Sequence, residues 1–300
     1  MTLPPLAACM LLIIFAPLSL LGVTSVATPA RAQVADQTSL QTWAQGLAPH
    51  SQLYLPDGPG PHPVVIYMHG CKRLQSHADL WGHALSANGY AVLAIDSFSP
   101  RNLGPNVQKY GVCTGLTLWG RERSADLMTA LYMIQRSVGV DTSSLDTQRI
   151  GVIGFSHGAW TTMDLMTQWT KGTLPSRLLS NRLPVNRPSA ADIDALVLVY
   201  PWCGIASLTG SVEAWSHIPP SQFLRPYKDS VVGDNGCNGN IASLTAASAR
   251  LDQGPVSDIR IHATGHAFDE PEGAFVDFDP VATDVAIKSV VSFLRQSLYR

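Results

Sequence analysis

The stretch Arg149-Ile-Gly-Val-Ile-Gly-Phe-Ser-His-Gly-Ala-Trp160 decides how the chain is read. Its first half, Arg149 to Phe155, is a short apolar run of the kind that forms a buried strand, and the residues from 158 to 169 suit a helix. Between them stands Gly154-Phe-Ser-His-Gly158, a GxSxG pattern in the strand-turn-helix setting that a nucleophile elbow requires. Such a turn holds the serine in a strained conformation. The flanking positions are glycine because side chains there would collide with the neighbouring strand and helix. Ser156 is therefore a candidate nucleophile at a helix N-terminus.

Outward from that motif, strand and helix alternate. Strands are expected at 51–55, 62–70, 90–96, 195–200 and 259–263, with Ser221 to Lys228 strand-like as well. Helices are expected at 77–88, at 118–137 with Leu127, Ala130, Leu131 and Ile134 on one face, and at 281–297. This rhythm predicts an α/β fold with a mostly parallel central sheet covered by helices on both faces. The segment 171–192, rich in Pro, Ser and Arg, reads as a surface excursion over the sheet's active edge. No internal repeat and no second domain is visible, so residues 33–300 are expected to form a single domain.

Composition narrows the function classes. The 300 residues are 46% hydrophobic and 14% charged, which excludes a disordered chain. Twenty Lys and Arg against 22 Asp and Glu give a net charge of -2, and no nucleic-acid partner is expected. Neither HExxH nor CxxC occurs, so the reading calls for no metal and no cofactor.

From Thr2 to Ala30 no side chain is charged, and the apolar stretch Leu6 to Leu21 leads to Ala30-Arg31-Ala32. Residues 1–32 read as a signal peptide cleaved after Ala32. An uncleaved anchor is the alternative, because the n-region has no Lys or Arg. Cleavage gives an exported protein, periplasmic or secreted, with no stable membrane association. The mature chain then holds Cys71, Cys113, Cys203 and Cys237, enough for two disulfides.

A serine hydroxyl needs a base, and the base an orienting acid. The histidine expected beyond the last strand is His266, in Ala263-Thr-Gly-His-Ala-Phe268. His262, inside the strand itself, reads as a packed or edge residue. His157 adjoins the serine and points away from its hydroxyl, lining the pocket. The acid is expected just past the strand that precedes 259–263, where Asp229 follows Ser221–Lys228. Asp234 is the alternative, although Gly233-Asp-Asn-Gly236 has the composition of a tight turn. The oxyanion donors are expected to be the backbone N–H groups of His157 and Cys71. His69, just before Gly70, is expected to support that loop.

With these residues in place, the chain resembles the exported, serine-containing branch of the dienelactone hydrolase family of α/β-hydrolases, over about residues 50 to 298. The matching positions are His69-Gly70-Cys71, Gly89-Tyr90 leading to Asp96-Ser-Phe98 and Pro100-Arg101, Arg149-Ile150 before the elbow, Tyr200-Pro201 with Cys203, and Gly265-His-Ala-Phe268. The resemblance implies an α/β-hydrolase fold and hydrolysis of an ester or lactone through an acyl-enzyme. It also implies a proline, an apolar strand, the acid and then a cysteine, which Pro220, Asp229 and Cys237 fit. Two positions depart from the pattern: Ser156 replaces the cysteine of the founding members, and Cys71-Lys72-Arg73 stands where a second glycine is usual.

In that topology the expected disulfides are Cys71 with Cys113 and Cys203 with Cys237, each contributing ~2 to 4 kcal/mol. Lys72, Arg73 and Arg101, together with Trp202, are candidate substrate-binding residues, the cations favouring a substrate with a free carboxylate. The alternative is that they pair with acids such as Asp79 and Asp96. The whole reading is a monomeric serine hydrolase of a small-molecule ester or lactone. A peptidase of the same fold and a non-catalytic hydrolase-fold binding protein are the alternatives.

Overall fold

In a computed structural model the described residues are 38–72, 74–178, 187–271 and 278–299. The expected signal peptide, 1–32, and Arg73 lie outside them. Seven strands form one sheet: β1 (Gln52–Tyr54), β2 (His62–Met68), β3 (Ala91–Ile95), β4 (Leu145–Phe155), β5 (Ala195–Val199), β6 (Ser221–Lys228) and β7 (Val256–Thr264). Their order is β1-β3-β2-β4-β5-β6-β7. Only β1 runs antiparallel to its neighbour. Parallel strands are buried on both faces, which is why β2, β3 and β5 read as unbroken apolar runs.

Alternation along β2 shows how the two faces are filled. Val64, Ile66 and Met68 join one core cluster with apolar residues of α1 (Leu40–Leu47), α4 (Gly120–Arg136), α5 (His157–Thr170) and α6 (Asn238–Leu251). Val65 and Tyr67 point the other way, into a cluster with α2 (Ser76–Ser86) and α7 (Pro280–Leu298). Helices thus cover both faces of a mostly parallel sheet, the α/β-hydrolase architecture expected from the sequence.

Several boundaries differ for physical reasons. Strand β4 begins at Leu145 rather than at 149, because Leu145 and Asp146 pair with His62 and Pro63 before an irregularity shifts the register. Helix α1 is unanticipated, yet Leu40, Trp43, Ala44 and Leu47 bury one face and Ser39 caps its N-terminus through Thr42 N–H. Helix α6 is likewise unanticipated, since its Ala, Ser and Thr residues dilute the apolar period. The loop after β3 carries a turn at Ser99–Arg101, the short α3 (Pro105–Val107) and a wide turn at Gln108–Val112. Residues 179–186 of the expected excursion lie outside the described ones. Of its described part, Leu178 bridges Thr38 and is buried, and none of it lines the cleft at Ser156.

Candidate active site

Strand β4 delivers Ser156 to the N-terminus of α5, with φ 50° and ψ -109°. That conformation is costly for a residue with a side chain and survives only where the surroundings impose it. Here they do so through close approach. A Cβ on Gly158 would stand 2.0 Å from the Met68 carbonyl oxygen, and one on Gly154 would stand 2.7 Å from Ala159 N. Only glycine fits at either position. The Ser156 N–H donates to the Val199 carbonyl, which ties the turn to β5.

Ser156 Oγ lies 2.8 Å from His266 Nε2. On the far side of that ring, Nδ1 lies 2.9 and 3.0 Å from the two oxygens of Asp229. The Asp229 carboxylate also accepts the Val231 and Val232 N–H groups, both at 2.9 Å. Burial works to raise its carboxyl, but the His266 ring and those amides outweigh burial and hold it below the ordinary value. An ionised acid facing Nδ1 places the ring proton there, leaving Nε2 to accept from the serine. Asp234 stands behind the acid rather than against the histidine. Its Oδ1 accepts the Asp229 N–H at 2.8 Å and closes the turn that holds Asp229 in place.

The expected oxyanion donors flank the serine. His157 is the first residue of α5, and Cys71 lines the cleft. The preceding Gly70 runs so close that a Cβ there would lie 3.8 Å from Ser156 Cβ. The His157 side chain does not line the cleft as expected. It is buried, with Nε2 donating to the Leu118 carbonyl at 2.8 Å and Nδ1 facing Arg123 Nη1 at 3.2 Å. Burial and the Arg123 charge push its pKa down to about 3, so it is neutral.

Arg123 is a residue the sequence reading missed. It is fully buried, and its Nη1 donates to the His69 carbonyl at 2.8 Å while Nε donates to Ser97 Oγ. Burial pulls the guanidinium down to about 9. One side chain thereby joins the loop after β2 to the first residue of α5, the two segments expected to carry the oxyanion donors. His69 supports the same loop: its Nε2 accepts the Ser97 N–H and its Nδ1 donates to the Gly70 carbonyl.

Cys71 is bonded to Cys113 and Cys203 to Cys237, the pairing expected from topology. Two disulfides fit an oxidising compartment. Among the described residues no helix is long and apolar enough to cross a membrane, and no group of three or more His, Cys, Asp and Glu could hold a metal ion. His262 is exposed on the edge strand β7, its ring against Tyr227.

The substrate-binding residues need correction. Lys72 lines the cleft, but Arg101 and Trp202 do not. The Arg101 guanidinium binds Asp126 through two contacts of 2.8 and 2.9 Å, stacks on Trp43 and is buried, so its charge is already neutralised. Its partner is thus Asp126 rather than Asp79 or Asp96. Trp202 Nε1 donates to the Ile205 carbonyl. Unanticipated members of the cleft are Tyr67, His77 and Tyr200, the last with its ring 4.8 Å from that of His266. No motif marks Tyr67 or His77, and Tyr200, quoted above only as part of the family resemblance, follows a buried strand at its C-terminal end.

No family model and no curated protein matches the chain. Among solved structures it is similar to one described as a putative dienelactone hydrolase from Klebsiella pneumoniae, with a TM-score of 0.57 and 15% identity. The match covers 82% of this chain and 92% of that one. At this identity the likeness establishes the fold.

Proposed function

We propose that this chain is an exported serine hydrolase that cleaves a carboxylic ester or lactone through an acyl-enzyme. The observation that carries the reading is the unbroken run of contacts from Ser156 Oγ through His266 to Asp229, set on a strained turn at a helix N-terminus. Ser156 Oγ attacks the ester carbonyl carbon while its proton passes to His266 Nε2. The carbonyl oxygen becomes an oxyanion, met by the N–H groups of His157 and Cys71. Collapse breaks the carbon–oxygen bond to the alcohol, and His266 Nε2 returns the proton to the departing alkoxide. Water then repeats the sequence: His266 takes its proton, the hydroxide adds to the acyl carbon, and the bond to Oγ breaks as His266 Nε2 returns the proton to Oγ and the acid leaves. Asp229 stays ionised throughout and stabilises the imidazolium.

The dienelactone hydrolase-like fold supports hydrolysis. Export is supported by the two disulfides and by the composition of residues 1–32. The reading requires no cofactor and no partner beyond the small-molecule substrate. Labelling with a fluorophosphonate, alongside hydrolysis of p-nitrophenyl acetate, tests it. The native chain should label and turn over, and Ser156→Ala should lose labelling and about 10⁴-fold or more of turnover. Absence of labelling in the native chain would favour a binding protein. Faster cleavage of peptide amides than of esters would favour a peptidase.

A further inference from the structure

The cleft at Ser156 has a half-buried mouth, where Gly70, Cys71 and Glu270 stand, and a buried floor made of Tyr67, His77, Phe155 and Tyr200. The floor is aromatic, but it carries a second chain of polar groups. Tyr67 Oη lies 2.5 Å from His77 Nδ1, and His77 Nε2 lies 3.1 Å from Asp269 Oδ2. Asp269 is wholly buried and also accepts Tyr200 Oη at 2.7 Å and Trp81 Nε1 at 3.0 Å. Burial alone would raise its carboxyl. His77, Tyr200 and Trp81 outweigh burial and keep it below the ordinary value, so it is an anion.

The contact at His77 Nε2 lacks hydrogen-bond geometry, but a ring lone pair facing a carboxylate at 3.1 Å would be repelled, so the neutral ring carries its proton on Nε2 and Nδ1 is left as an acceptor. The O–H that satisfies Nδ1 is that of Tyr67, whose phenol burial and the nearby Asp269 and Glu270 hold well above its usual range. Tyr67 has therefore committed its one donor, and what its oxygen offers the cleft is a lone pair. A buried acceptor in an aromatic floor is satisfied by a donor on the ligand, and a ligand without one leaves it unpaired. The cavity measures about 40 Å³. That is space for roughly three waters between the floor and the open mouth, so a short acyl group fits the floor.

We propose that the acyl side of this cleft selects a short acyl group bearing a hydroxyl, a 2-hydroxyacyl ester of the glycolate type, whose O–H donates to Tyr67 Oη. The inference rests on the ester-hydrolase reading above and adds the substrate class. Tyr67 is the specificity-determining contact, and His77 and Asp269 are positioning residues that fix its hydrogen-bond polarity.

Methyl glycolate and methyl propionate test it, since they have the same number of non-hydrogen atoms and differ by a hydroxyl against a methyl group. For the full chain, kcat/KM of each ester is measured by pH-stat titration and divided by its rate constant for hydroxide-catalysed hydrolysis. The corrected ratio should favour glycolate by about tenfold, the worth of one hydrogen bond to a buried group. Tyr67→Phe should reduce that ratio about five- to tenfold, chiefly through KM for glycolate. A corrected ratio of one or below in the native chain overturns the proposal, as does a ratio that Tyr67→Phe leaves unchanged. If Tyr67→Phe does not fold, the native ratio decides alone. Propionate turnover that Ser156→Ala abolishes, without preference for glycolate, defeats this inference and leaves the hydrolase reading standing. If neither ester shows turnover dependent on Ser156, both fall.

Discussion

Two hydroxyl–histidine–aspartate chains meet at one cleft, and they differ in backbone more than in chemistry. In the first, Ser156 at φ 50° holds its oxygen at the mouth, half-buried, against His266 and Asp229. In the second, Tyr67 sits in the regular strand β2, buried, against His77 and Asp269. Both aspartates are held below the ordinary carboxylate range by their histidines and further donors. The relay alone therefore does not distinguish a nucleophile from a structural contact. What does is the strained turn, which sets one oxygen at a helix N-terminus, where the proposed oxyanion donors would lie. The Tyr67 phenol has no such donors facing a reacting carbonyl, so it is suited to binding.

Equivalent substitutions in the two chains should show the largest contrast. Asp229→Asn should lower turnover of p-nitrophenyl acetate by up to about 10⁴-fold, because the amide favours the wrong His266 tautomer. Asp269→Asn should cost turnover less than about tenfold and instead destabilise the fold by ~1 to 3 kcal/mol, since the Tyr200 Oη and Trp81 Nε1 donors then converge on an amide that accepts at one atom only. Steady-state kinetics and urea unfolding on both variants decide this. Comparable losses of turnover would erase the distinction. Asp234→Asn is the control: the amide oxygen can still accept the Asp229 N–H, so turnover should fall only a few-fold.

A smaller effect should come from the side chain that links the two segments proposed to carry the oxyanion donors. Arg123→Lys keeps a cation but cannot reach the His69 carbonyl, Ser97 Oγ and His157 together. Turnover should fall about 10²-fold with KM nearly constant, the signature of weakened transition-state contacts. Binding of a boronic acid that forms the tetrahedral adduct should weaken in parallel, while binding of the product alcohol should not. A rise in KM with kcat intact would move Arg123 from the oxyanion loop to ground-state binding.

What could be read from the sequence follows the same division. Ser156 was legible because the turn imposes glycine on both sides, and His266 because it follows the last strand in a glycine-flanked loop. Asp229 stood out from Asp234 because one ends a strand and the other sits in a Gly-Asp-Asn-Gly turn, and in the structure the turn residue holds the strand residue. Arg123, Tyr67, His77 and Asp269 left no local mark. They lie on α4, β2, α2 and the turn after β7, and only three-dimensional packing brings them together around the cleft. Arg101 misled for the matching reason: its position past β3 suggested the pocket, while its counter-ion Asp126 is 25 residues further on in α4. Helix α1 was overlooked although its spacing of apolar residues is helical, because eight residues make a weak periodic signal.

The two paired carboxylates contrast with a third that lacks a histidine. Asp164 in α5 is buried, accepts the Leu208 N–H at 2.7 Å and meets no cation at contact distance among the described residues. Burial dominates there and raises its pKa from 3.8 to about 7, with the Leu208 hydrogen bond opposing. The sign follows from proton linkage. A carboxyl raised in the folded state binds more protons folded than unfolded between those two values, so its contribution to stability is full below about 4 and is lost as pH rises toward and past 7. Asp229 and Asp269, both lowered, contribute in the opposite sense and lose their contribution on acidification. Asp164→Asn keeps an acceptor for Leu208 without the charge. Its melting temperature should therefore exceed that of the native chain by several degrees at pH 8, reflecting a gain of up to ~4 kcal/mol, and the difference should vanish near pH 4. Thermal unfolding of both proteins from pH 4 to pH 8 measures it. A difference independent of pH would show that the Asp164 charge carries no penalty in the fold, and would place this carboxylate with the paired ones.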